Sequence, residues 1–308
     1  MSEKTAISWC DSTVNFWRGC TKVSPGCANC YAETLALTRL AGREGYPGLP
    51  WTPENAAWNV ALRPERLDQP LRWRKPRRIF VNSMSDLFHS RVPEAFLDRV
   101  FVAMAVASQH RYQVLTKRPE RMRDYLANND TRNRLASALV EFAERTGMVL
   151  TIRGAGDGLP GIRFPSVWLG TSVENQHWAD LRIPHLLATP AAVRFLSVEP
   201  LLGPIEFSDV TGRSDAVAQL GRKALAGIDW VIVGGESGPG HRPMDPAWLA
   251  SVVRQCDEAQ VPVFVKQDSG PRSGMQGRIP DSLWALFGTG YLGYTAARGW
   301  EKGKGVTK

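Results

Sequence analysis

Short runs of apolar and β-branched residues recur along the chain, and each ends in small polar residues. They are Arg78–Asn82 (RIFVN), Tyr112–Thr116 (YQVLT), Ser166–Thr171 (SVWLGT), Val193–Ser197 (VRFLS), Trp230–Gly234 (WVIVG) and Val261–Lys266 (VPVFVK). They read as β-strands, with a further one near Ile7–Asn15. Amphipathic stretches follow several of them. Pro93–Ser108, Pro119–Asn128 and Pro246–Ala259 each begin with proline, which suits the first turn of a helix. Strands that are apolar almost throughout, alternating with helices, predict parallel strands buried on both faces. The expected fold is α/β, a full or partial TIM-like (β/α) barrel of about six to seven parallel strands. A doubly wound open sheet is the alternative.

Three stretches break the rhythm: Ala41–Pro76, rich in Pro, Trp and Arg; the Gly/Pro connection Asp157–Pro165; and Glu206–Ala226, an insertion with room for a short helix. Long irregular segments in a barrel serve as lids or substrate walls, or are solvated excursions. The basic tail Glu301–Lys308 is expected to be mobile. The pattern is that of one barrel domain over residues 1–308 carrying these insertions.

The strand ends carry a second pattern. The successive strands run into Ser83-Met84-Ser85-Asp86, Lys117-Arg118, Ser172-Val173-Glu174-Asn175, Ser197-Val198-Glu199, Gly234-Gly235-Glu236-Ser237 and Lys266-Gln267. A parallel barrel gathers the C-terminal ends of its strands at one mouth, where active sites sit. Charged residues there are unfavourable to bury unless paired or bound. Asp86, Lys117, Glu174, Glu199, Glu236 and Lys266 are therefore expected around one cavity, with mutual salt bridges or helix caps as the plain alternative. Lys117, Arg118, Arg242 and Lys266 would receive a phosphate or carboxylate, or pair with the carboxylates. Gly234-Gly235 allows close backbone approach to a ligand or a tight turn, without the spacing of a dinucleotide fingerprint.

Composition narrows the chemistry. The chain has 308 residues and is 43% hydrophobic, enough for a sizeable core. Its longest apolar runs, such as Val100–Ala107, are too short to cross a bilayer, and MSEKTAISW lacks the plan of a secretory leader. A cytoplasmic protein with no membrane partner is the expectation. The net charge of +8 permits a polyanionic partner, and Arg72–Arg78 (RWRKPRR) offers a phosphate-contacting strip. The five cysteines are an odd number, which argues against a disulfide framework. Three fall in one loop after the first strand, as Cys20-x6-Cys27-x2-Cys30, with Pro25 and Gly26 folding the interval back. Three thiolates are one short of a closed zinc site. They suit a 4Fe–4S cluster with one iron open to a ligand. A structural zinc completed by Cys10 or a histidine, or no metal, are the competing readings. Cys256, on a helical stretch, reads as a core residue.

The stretch NFWRGCTKVSPGCANCYAE resembles the cluster loop of radical S-adenosylmethionine (SAM) enzymes of the spore-photoproduct-lyase-like branch. It departs from that branch in having Phe16 for a proline and a first spacing of six residues. Together with FVNSMSDLFH, LTKRP, WLGTSVEN, FLSVEPLL, VIVGGESGP and FVKQ, it resembles the phage gene-product 37/68 family, also described as three-Cys-motif proteins. The resemblance implies a barrel of radical SAM type. Cys20, Cys27 and Cys30 would hold the cluster, with Tyr31 over the cluster or adenine edge. Asn82, Ser83, Ser85 and Asp86 would lie near the methionyl end of SAM. Ser172, Glu174, Asn175, Ser197 and Glu199 would take its amino group or ribose. Gly234-Gly235-Glu236 resembles the glycine-glycine-glutamate motif for the SAM ammonium, though it ends about the sixth strand where that motif usually ends the second. Lys117, Glu199 and Lys266 are the candidate catalytic groups. The implied reaction is cleavage of SAM to a 5′-deoxyadenosyl radical that modifies or repairs a nucleobase or nucleic acid. It needs an electron donor and leaves room for a separately encoded partner protein. Two other readings stand beside it: a zinc- or cluster-bearing nucleic-acid-binding module, and a barrel hydrolase or lyase using the strand-end carboxylates.

Overall fold

The computed structural model describes residues 5, 7–147, 164–209 and 225–270. The insertion at 206–226 and the connection at 157–165 fall largely outside the described residues, and the tail at 301–308 entirely so.

Seven strands form one parallel sheet: β1 (Ser12–Val14), β4 (Arg78–Val81), β5 (Arg111–Thr116), β6 (Val167–Ser172), β7 (Val193–Val198), β8 (Trp230–Gly234) and β9 (Val263–Gln267). Spatial order follows chain order, β1-β4-β5-β6-β7-β8-β9, with no reversal. A doubly wound sheet reverses at a switch point, so that alternative is excluded. The small strands β2 (Trp17–Arg18) and β3 (Ala61–Leu62) pair antiparallel beside the sheet.

Period-two alternation divides the core. Ile79 and Val81 of β4, and Val231 and Val233 of β8, join the larger hydrophobic cluster with the helices. Phe80 and Ile232, between them, face a smaller cluster with Trp9, Cys10 and Phe195. In a flat sheet β4 and β8 would lie about 19 Å apart, four strand spacings. Yet the Trp9 ring lies 4.7 Å from Phe80 of β4 and 6.5 Å from Trp230 of β8. The sheet is therefore curled into a half-barrel, with Trp9 across the floor of its concave side. The fold expectation holds in its partial form.

The helices are α1 (Tyr31–Leu37), α2 (Ala56–Asn59), α3 (Glu94–Val106), α4 (Pro119–Ala127), α5 (Asn129–Thr146), α6 (Gln176–Ala188) and α7 (Pro246–Glu258). The prolines act as expected: Pro93 caps α3, while Pro119 and Pro246 open α4 and α7. No helix among the described residues is long and apolar enough to cross a membrane.

The stretch 41–76 packs against the barrel. Trp51, buried in it, closes on Ala32 and Ala36 of α1 and on Cys20 and Cys30. The Trp51 N–H donates to Glu33 at 2.9 Å, and Lys22 pairs with the same carboxylate at 2.8 Å. This excursion is thus a wall of the cysteine loop. The basic run at 72–78 lies elsewhere. It leads into the start of β4, where Arg77 stacks on Trp73 and Arg78 pairs with Asp11. That is the end of the sheet away from the strand C-termini, so the run does not adjoin the mouth.

Candidate functional site

The cysteine loop, residues 19–30, bridges the C-terminal ends of the strands between β2 and α1. Gly19 admits it: φ is +80°, and a side chain there would meet the Asn59 carbonyl. The Gly19 N–H donates to Met84 O at 3.1 Å, tying the loop to the segment after β4.

Three buried carboxylates fasten the loop to three strand ends. At β4–β5, Asp86 accepts from Phe88 N, the Thr116 hydroxyl, Lys117 N and Arg118 Nη1 at 2.7–3.0 Å. Arg118 then reaches the loop, donating to Thr21 O and Thr21 Oγ1 at 2.9 Å and to Cys20 Sγ at 3.4 Å. Burial alone would raise the Asp86 pKa. The Arg118 charge, the Thr116 hydroxyl and the backbone donors outweigh burial and hold it below the usual carboxylate value.

At β5–β6, Glu174 is fully buried. Its Oε1 takes the Ser24 hydroxyl at 2.6 Å and Lys117 Nζ at 2.9 Å, and its Oε2 takes Arg182 Nη1 at 3.0 Å. Arg182 in turn lies over the Trp178 ring at 4.2 Å. Burial works against ionisation here as well, and Lys117 and Arg182 overcome it, so the Glu174 pKa is lowered. The loop seats closely: a Cβ on Gly26 would lie 2.4 Å from Glu174 Oε1.

At β8, Glu236 accepts from Asn29 Nδ2 at 2.8 Å and pairs with Arg242, whose Nη2 also donates to Pro25 O at 2.9 Å. The adjoining glycines serve the fold. A Cβ on Gly235 would stand 2.3 Å from Ser269 N, and one on Gly234 3.0 Å from Glu199 Oε1. Their close approach is to the chain itself.

The fourth carboxylate differs. Glu199 pairs with Lys266 at 3.0 Å and accepts from Ser197 Oγ at 3.4 Å, and no hydrogen bond among the described residues ties it to the loop. Both partners keep some exposure, 13% and 28% of their side chains. Tyr31 faces the same space. Its hydroxyl donates to Ser83 O at 2.5 Å, and the residue is 48% exposed. Yet burial first, then charge on Cys30, Cys10 and Glu199, pushes its pKa up.

On the β4 side of that space, Asn15 holds Ser83 and Met84. Asn82 adopts a left-handed φ of 62°. Its Oδ1 accepts from Phe16 N at 3.2 Å, while its buried Nδ2 has no hydrogen-bond partner among the described residues. Ser85 Oγ donates to Trp17 O. Ser172 and Ser197 are buried at the ends of β6 and β7. Asn175 caps α6, accepting from Trp178 N at 3.3 Å.

Cys20, Cys27 and Cys30 are free and half-buried. Burial pushes the Cys20 thiol up to about 12, against the pull of Arg118, and raises Cys30 likewise. Cys20 and Cys30 pack on the same cluster of Ala32, Ala36 and Trp51, and Cys27 ends the Pro25–Cys27 turn of the loop between them. Among the described residues, no three His, Cys, Asp or Glu side chains are already converged on a metal-sized point. The donor set nonetheless fits an iron–sulfur cluster: soft thiols only, three of them, on a loop fixed at both ends. Cys10 does not complete a zinc site with them. It is buried among Trp9, Phe80, Phe195 and Ile232, with its thiol directed to Ile7 O. Cys256 lies in the main core as expected.

Sequence reasoning missed Ser24, Asn29, Glu33, Trp51 and Arg182. Only the SPG turn hinted that the loop had to seat closely.

Residues 4–279 match the family described as "Protein of unknown function (DUF5131)", and the chain belongs to that family. No curated protein and no solved structure matches it.

Proposed function

We propose that this member of the DUF5131 family is an enzyme of the radical SAM type. One observation carries the reading. Three free cysteines with no fourth thiol beside them sit on a loop seated on buried carboxylates at the mouth of a parallel half-barrel. Cys20, Cys27 and Cys30 would hold a 4Fe–4S cluster. Bound there in its reduced form, the cluster would supply the one electron needed to cleave the S–C5′ bond of SAM into methionine and a hydrogen-abstracting 5′-deoxyadenosyl radical.

The chain's own residues bind, orient and shield. Asp86, Glu174 and Glu236 hold the loop, so their oxygens are committed to the protein. The groups turned to the interior are those left for SAM: Tyr31 beside the cluster loop, Asn82 with its unpartnered amide, Ser83, Ser172 and Ser197. Glu199 and Lys266 face the same space as an ion pair left for acid–base work. Asn175 is spent as a helix cap. A nucleobase or nucleic-acid substrate is supported by the net charge of +8 alone, since Arg72–Arg78 lies away from the mouth.

The test is metal analysis of anaerobically reconstituted protein. About four irons per chain and a broad visible charge-transfer band are expected. Dithionite and SAM should then release 5′-deoxyadenosine, and Cys27→Ala should abolish it. Colourless protein with stoichiometric zinc overturns the proposal in favour of a metal-bearing binding module. Activity on any substrate that survives Cys27→Ala and fails on Glu199→Gln favours the carboxylate hydrolase or lyase.

A further inference from the structure

Arg118 is placed to act on the sulfur of one cysteine as well as on the loop backbone. Its Nη1 lies 3.4 Å from Cys20 Sγ and 3.0 Å from Asp86 Oδ2. Its Nη2 donates to both oxygens of Thr21 at 2.9 Å. One planar guanidinium therefore spans the strand-end carboxylate, the loop backbone and a thiol, which a flexible ammonium cannot do. Asp86 is itself fixed by Thr116 and by the N–H groups of Phe88 and Lys117. The side chain of Arg118 is only 14% exposed, so the contact to sulfur is sheltered from water. Cys30 takes backbone N–H groups of Glu33 and Ala32 at the start of α1 and no charged donor, and the contact at Cys27 is a longer one, 3.9 Å from Ser24 Oγ.

We infer that Arg118 is a positioning residue that tunes the iron–sulfur site through an N–H···S hydrogen bond to Cys20. This rests on the cluster reading above and adds an asymmetry to it: of the three sulfur ligands, Cys20 is the one that takes a charged donor, while Cys30 takes neutral backbone N–H groups. Hydrogen bonds to ligating sulfur withdraw charge and favour the reduced, more negative cluster. Arg118 thus raises the reduction potential, and Asp86, by holding Arg118, sets how strongly.

The experiment uses the full chain, reconstituted anaerobically. Wild type, Arg118→Met, Arg118→Lys and the double variant Asp86→Asn/Arg118→Met are compared. Readouts are iron content, midpoint potential by dye titration and the electron paramagnetic resonance spectrum of the reduced state. Near-ultraviolet circular dichroism reports folding. The expected result in Arg118→Met is a lowered iron content, because a tie of the loop is lost, with a more negative potential and an altered g-tensor in the clusters that do assemble. Arg118→Lys should shift the same way by less, and it keeps the test alive if the methionine variant does not fold. The double variant should retain part of the shift, because the hydrogen bond is still missing after the Asp86 charge is gone. Unchanged potentials and spectra in both single variants overturn the inference alone. A shift that vanishes in the double variant also overturns it, because the effect then belongs to the charge of Asp86. Wild type that takes up no iron overturns the cluster reading, and this inference with it.

Discussion

The half-barrel is closed differently at its two ends. At the floor, Trp9 lies 4.7 Å from Phe80 and 6.5 Å from Trp230, and Phe195 and Ile232 fill the remaining space. Closure there is by ring packing. At the mouth, Asp86, Glu174 and Glu236 are each paired with a guanidinium or ammonium and hydrogen-bonded to the cysteine loop. In the case of Asp86 the tie runs through Arg118. An aromatic plug tolerates small shifts of its parts, whereas a buried ion pair loses most of its worth when one partner is misplaced. The mouth is thus the end where the backbone is held to a fixed geometry, as a metal-binding loop requires.

Removing one piece from each end separates the two modes. Glu174→Ala leaves Lys117 and Arg182 facing each other across a buried gap and frees Ser24. Breaking a buried pair by deleting one partner destabilises by about 3–5 kcal/mol. Trp9→Ala, a buried large-to-small change, should destabilise by a comparable amount, about 3–5 kcal/mol. Urea denaturation should show both losses. Iron content should divide them, falling sharply in Glu174→Ala and holding in Trp9→Ala. Equal iron loss in both would mean the cysteine loop is set by the sheet as a whole rather than by its anchors.

Gly26→Ala asks the same question with one carbon. The added Cβ would stand 2.4 Å from an oxygen of Glu174 that Lys117 and Ser24 already hold. Overpacking at such a site destabilises by about 1–3 kcal/mol. Melting temperature and iron stoichiometry should fall together. A normal melt with lost iron would show that the loop lifts away instead of straining.

The architecture was legible because its signals are short-range. The strands at 78–82, 112–116, 166–171, 193–197 and 230–234 were found within a residue or so, since an apolar run ending in small polar residues registers in any window. The gathering of charged residues at the mouth followed from parallel topology alone. The division of labour among them did not. Whether Glu174 faces a ligand or a loop depends on Ser24, 150 positions away, and on Arg182 folding back from α6. Asn29 meets Glu236 across 207 positions. No local pattern encodes such partnerships, and so the ties of Asp86, Glu174 and Glu236 to the loop were not legible at the strand ends. Trp51 was hidden for the same reason, inside a stretch whose Pro- and Arg-rich composition suggested solvent.

Acid should loosen the mouth in two stages. The neutral His89 ring, bonded to Thr21 Oγ1, has a pKa pushed down to about 4 by burial and then by the charge of Arg118. An unfolded histidine titrates near about 6.5. Between those values the unfolded chain binds the extra proton, so stability falls as the pH drops from about 6.5 towards 4. Asp86, Glu174 and Glu236 have lowered pKa values, so their contribution is intact above the unfolded carboxylate range, about 4, and is lost as the pH falls through their folded values. Urea midpoints recorded against pH should show both stages, and His89→Gln should reduce the upper one, to which His110 and His185, also lowered by burial, contribute, and leave the lower one unchanged. A profile unchanged by His89→Gln would assign the upper stage to another group.

Glu199→Gln should have the smallest effect on stability and is the sharpest test of the division at the mouth. Glu199 and Lys266 keep 13% and 28% of their side chains exposed, and no hydrogen bond among the described residues ties the pair to the loop. Lys266 reaches water, so its charge is partly screened when Glu199 is neutralised. The variant also keeps the shape and one hydrogen-bonding oxygen of the side chain, so urea denaturation should place it within about 1 kcal/mol of wild type, with iron content unchanged. Product formation should nevertheless fail, because an amide can serve neither as acid nor as base beside Lys266. If Glu199→Gln instead destabilises as much as Glu174→Ala, Glu199 is a fourth anchor. The mouth would then contain no carboxylate reserved for chemistry, and the distinction between holding the loop and facing the substrate would disappear.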